Sequence, residues 1–85
     1  MLIRINFPAL PEGRDLDQVK QELDGVLEND GWLLASGDGF IELELEDEKM
    51  NPKYGIMAVK NYLQKAGFDP ATTMDLQGTK TPIFD

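Results

Sequence analysis

The residues of this chain that could do chemistry are carboxylates. The densest group runs F-I-E-L-E-L-E from Phe40 to Glu46, continued by Asp47 and Glu48. Alternation puts Glu42, Glu44 and Glu46 on one side of a strand and Ile41, Leu43 and Leu45 on the other. Such a ladder could chelate a divalent cation or dock a basic protein. Carboxylates at i and i+2 on a strand sit ~6.5–7 Å apart. Ligands to one hard cation must come within ~2.0–2.6 Å of it. Neighbouring rungs are therefore poorly placed to share an ion, and no EF-hand spacing occurs. The ladder fits a docking surface better, since rows of fixed charge steer association and reject wrong partners. Its plain structural reading is the polar outer face of any antiparallel sheet that is covered on one side only.

Other chemistries are thinly supplied. The 85 residues include neither cysteine nor histidine. That removes disulfides, thiolate ligands, a cysteine nucleophile, the commonest general base and the commonest transition-metal ligand. Ser36 is the only serine and has no histidine to activate it. Asp, Glu, Lys53, Lys60, Tyr54 and Tyr62 could assist an acid–base reaction, but no pair is singled out. Gly37-Asp38-Gly39 joins strand to strand and opens no helix, so it is a turn and not a phosphate loop.

The net charge is −8 and it is uneven: residues 1–48 hold 13 acids and 3 bases, residues 49–85 hold 3 acids and 5 bases. An acidic field of this size disfavours nucleic acid backbones and anionic membranes and favours cations or basic partners. It also serves solubility alone. No apolar run approaches the ~18 residues of a membrane helix. Strand patterning from Leu2 onward leaves no room for a cleaved leader, so a cytoplasmic location is expected.

The elements that position these groups follow from periodicity. Ile3, Ile5 and Phe7 alternate with Arg4 and Asn6 in a first strand that Pro8 and Pro11 stop. Residues 15–30 read as a helix with Asp15 as N-cap and Leu16, Val19, Leu23, Val26 and Leu27 as its apolar stripe. Gly25 inside it suggests a close contact. Asn29-Asp30-Gly31 reads as its end, with Gly31 in the left-handed C′ position. Trp32–Glu46 reads as a hairpin turning at Asp38-Gly39 in a two-residue type I′ loop. The preferred register pairs Gly37 with Phe40, Ala35 with Glu42, Leu34 with Leu43 and Trp32 with Leu45, which buries Trp32 and Leu34. A three-residue loop would shift that register and turn Trp32 to the face of Glu44.

Asn51-Pro52 starts a second helix, with Ile56, Val59, Leu63 and Ala66 on its inner stripe, and Gly67 ends it. Gly55 and Ala58 form a small patch suited to close packing. Thr72–Gln77 reads as a last, polar edge strand. The 79–85 tail has no period: it is mobile, or Ile83 and Phe84 dock.

The order β-α-β-β-α-β predicts a single α+β domain over residues 1–78. It would be a two-layer sandwich of ferredoxin-like arrangement, with two helices on one face of a four-stranded antiparallel sheet in the order 4-1-3-2. The open face would carry Arg4 and Asn6, Glu42, Glu44 and Glu46, and Thr73, Asp75 and Gln77. The expected function is non-catalytic binding of a basic protein partner through this face, with Glu42, Glu44, Glu46, Arg4 and Asp75 as the contact residues. Neither cofactor nor metal is implied, and the chain is expected to be a monomer or a weak homodimer. The alternative is a cation-dependent small-ligand domain or a small enzyme using Asp and Glu.

Overall fold

The computed structural model describes residues 1–28, 30–46 and 52–84. The readings placed on Asn29, Asp47, Glu48 and Asn51 lie outside the described residues. The elements are β1 (Leu2–Asn6), α1 (Leu16–Leu27), β2 (Gly31–Gly37), β3 (Phe40–Leu45), α2 (Pro52–Ala66), β4 (Thr73–Leu76) and β5 (Thr79–Pro82). They form an α+β sandwich of two helices on a five-stranded antiparallel sheet, in the order β2-β3-β1-β4-β5. A four-stranded sheet was expected, and β5 is the difference. Gln77 and Gly78 both take positive φ, +52° and +90°, and fold T-K-T-P back onto β4. Ile83, just beyond, is fully buried and its amide bonds to Thr72 O. The strand β4 is thereby internal, not an edge.

The alternating apolar residues of β1 and β3 make the sheet's half of the core: Ile3, Ile5, Ile41, Leu43 and Leu45, joined by Met74 of β4. Val19, Leu23 and Leu27 from α1 and Val59, Leu63 and Ala66 from α2 close it. Asp15 caps α1 by accepting a 2.8 Å hydrogen bond from the Gln18 amide. The helix α2 ends at Gly67, φ +89°, where the Phe68 amide returns to Leu63 O and the Phe68 ring is buried edge-on against Phe7.

The glycines correct two expectations. A Cβ added at Gly25 would meet nothing within 4 Å, so this glycine marks no close contact. Gly31 is not the C′ residue of α1. The helix stops earlier, with Glu28 at φ +50°, and Gly31 opens β2 opposite Leu45. A Cβ there would lie 2.4 Å from Glu44 O.

The hairpin carries the largest correction. Gly37 pairs with Phe40 and Ala35 with Glu42 as expected. A β-bulge between Leu33 and Ala35 then makes Leu34 an extra residue. Beyond it Leu33 pairs with Leu43, and Trp32 pairs with Glu44. Trp32 is 45% exposed and Leu34 50%, so neither is in the core. Space decides this: Leu45 is pressed by Gly31 from one side and Gly55 from the other, leaving no volume for an indole. The turn differs as well. Only Gly39 has positive φ, +83°, which rules out a type I′ loop.

Candidate protein-interaction face

With both helices on one side, the other side of the sheet faces out, and strand registry assembles it in rows. One row crosses all five strands: Ala35, Glu42, Arg4, Asp75 and Lys80. Charges alternate along it. The Arg4 guanidinium lies 4.3 Å from the centroid of the Phe40 ring, 3.7 Å from Glu42 Oε2, and donates through Nε to Asn6 Oδ1 at 3.1 Å. It is fixed by three neighbours at once, so it serves as a spacer holding Phe40 and Glu42. Asp75 sits opposite Arg4 on one side and Lys80 on the other. Its Oδ1 is buried and without a hydrogen-bond partner.

The next row is Trp32, Glu44 and Leu2. Trp32 and Leu2 are each 45% exposed, so a carboxylate stands between two accessible apolar side chains. The row on the other side is Gly37, Phe40, Asn6, Thr73 and Pro82. Here the Phe40 ring covers Gly37, whose absent Cβ would lie 2.7 Å from it.

Glu42, Glu44, Arg4 and Asp75 thus share one face at ladder positions. Glu46 lies just past the end of β3, its amide bonded to Asp30 O at 2.7 Å. Sequence reasoning missed Trp32, Leu2 and Lys80. The face is mixed across β1, β4 and β5, and acidic and apolar across β2 and β3. Gly31 was the available signal for Trp32, since a glycine opening a strand often marks close backbone approach.

A second polar cluster ties the helices together. Glu22 of α1 accepts a 2.6 Å hydrogen bond from the Tyr62 hydroxyl of α2 and a 3.1 Å bond from Arg14 Nε. The bond from Tyr62, and after it that from Arg14, holds the Glu22 carboxyl below its ordinary value. Burial, and after it Glu22, pushes the Tyr62 hydroxyl above the usual phenol value. Glu22 also accepts from Gln18 Nε2 at 3.4 Å and Arg14 also donates to Ala66 O at 3.5 Å, so the cluster is a clasp between helices.

Hollows adjoin the sheet among the described residues. One of about 140 Å³ lies between α1 and the β2 edge, lined by Lys20, Leu33, Leu34, Ala35, Ser36 and Ile41. One of about 350 Å³ lies at the Asp38 turn beside Phe7, Leu10 and Leu16. Among the described residues no group of three or more carboxylates is placed to hold a metal ion, and no helix is long and apolar enough to cross a membrane.

No protein-family model matches the chain, and no curated protein or solved structure was found to match it.

Proposed function

We propose that this chain is a small non-catalytic interaction module that holds a basic protein partner against the open face of its sheet. We read its frame as a ferredoxin-like βαββαβ unit with β5 appended. The observation that carries the function is Trp32 exposed in one row with Glu44 and Leu2, one row from Glu42. Tryptophan carries one of the largest apolar surfaces of any side chain and is enriched among the hot spots of protein interfaces. Flanked by carboxylates, its π-face suits a lysine or arginine of the partner. The acidic β2–β3 half supplies the attraction, and the indole supplies the anchor.

Affinity capture from the source lysate tests this, with immobilised wild type beside a Glu42→Lys/Glu44→Lys variant at low and high salt. A basic protein captured by the wild type at low salt, released at high salt and lost to the folded variant is the expected result. Equal capture by the variant removes the reading.

A further inference from the structure

The two edges of the sheet are built differently. The edge strand β5 is four residues long and carries Lys80 and Pro82, both of which discourage a further strand. The other edge, β2, is seven residues, Gly31-Trp-Leu-Leu-Ala-Ser-Gly37, without one charge. Among the described residues, backbone hydrogen bonds reach it only from its ladder with β3. What interrupts it, among the described residues, is the bulge at Leu34.

We propose that the β2 edge accepts, as a sixth strand, an extended basic segment of the partner in which Lys or Arg alternates with uncharged residues. This rests on the reading of the open face given above and names the form in which the partner arrives. Charge selects the occupant. Asp30 and Asp38 flank the strand at its two ends and are exposed. On the open-face side, Ala35 presents only a methyl, so a long basic side chain on an added strand can cross it to Glu42, two strand spacings or about 9.6 Å away. The Trp32 ring and Glu44 offer a second such place. On the helix side, Lys20 lines the hollow beneath Leu33 and Ser36 and disfavours a basic side chain there, while the net charge of −8 disfavours an acidic one, so the alternate side chains are uncharged. A second copy of the chain is the poorer occupant. Antiparallel pairing of β2 with itself over its length sets Asp30 opposite the other copy's Asp38, and like charges directly opposed are unfavourable.

The probe is a blocked heptapeptide alternating lysine and valine, with two controls: its fully backbone-N-methylated analogue, and a peptide alternating glutamate and valine. Titrations are followed by amide NMR on the wild type and on Leu34→Lys, which places a charge on the edge at an exposed position. The expected result is saturable shifts over Gly31–Gly37. Binding should weaken about tenfold or more on N-methylation, since several backbone hydrogen bonds are lost. It should weaken again in Leu34→Lys and at high salt, and the acidic peptide should not bind. Equal binding of the N-methylated peptide, or shifts centred on Arg4, Glu42 and Asp75 with β2 unmoved, overturns strand addition while leaving the open-face reading standing. Shifts over β2 that grow with protein concentration alone also overturn it and give the edge to a second copy. Partner capture that does not depend on Glu42 and Glu44 sinks the open-face reading instead.

Discussion

Gly55 of α2 stands so close to Leu45 of β3 that a Cβ on it would lie 2.8 Å from Leu45 Cδ1. Gly31 crowds the same side chain from β2, at 3.1 Å from Leu45 Cδ2. Their consequences differ. Alanine at Gly31 also meets a backbone oxygen, Glu44 O, at 2.4 Å, and a ladder cannot yield as a methyl can. Gly31→Ala is expected to cost about 2 kcal/mol or more, in the upper range for overpacking. Gly55→Ala gains helix propensity of about 1 kcal/mol and meets only side-chain atoms, so its net loss should be the smaller. Urea denaturation of both variants orders them.

Acid should undo the interhelical clasp. The folded-state value of Glu22 lies below its ordinary value of 4.5, so its contribution is complete above that pH and is lost as pH falls toward the folded value. Tyr62→Phe removes the leading cause. It should be less stable than wild type at neutral pH, and the gap should narrow below pH 4.5 as wild type loses the same contribution. On the alkaline side the sign reverses. The Tyr62 hydroxyl is raised above 10.0, so its share persists below that pH and fades well above it. Melts from pH 3 to pH 7 check the first limb; a constant gap across that range would contradict it.

The β4–β5 turn can be improved. Gln77 occupies φ +52° before Gly78 at +90°, a pair of angles that favours Asn-Gly. Gln77→Asn should stabilise the chain by about 0.5–1 kcal/mol by easing left-handed strain. A raised denaturation midpoint with unchanged slope is the expected reading.

Trp32 and Ile83 should behave opposite to their sizes. Trp32 is half-exposed, whereas Ile83 is fully buried. Trp32→Ala should cost less than about 1 kcal/mol, as surface changes usually do. Ile83→Ala should cost about 3 kcal/mol, as buried aliphatic truncations do. Thermal unfolding of the two variants separates them directly.

Legibility in the sequence follows the strength of local signals. The strands β1 and β3 alternate without interruption, and Asp15 and Gly67 punctuate the helices, so these are readable. The strand β5 is not: T-K-T-P has no alternation of apolar and polar side chains, and its turn uses glutamine where asparagine would announce it. The bulge is hidden for another reason. Three apolar residues in succession, Trp32, Leu33 and Leu34, satisfy either register, and local preference goes to burying the larger ring. What selects the other register is a distant element, since α2 brings Gly55 against Leu45. The acids of the open face are legible from parity alone, but their apolar neighbours depend on that register.

The bulge leaves the chain's only indole at the surface that would meet a partner. Its fluorescence is therefore a poor gauge of unfolding, because the ring is half in water before the chain opens. It is a good gauge of occupancy. An emission shift to the blue on mixing with a tryptophan-free partner would report water leaving that row of the sheet, with no label attached.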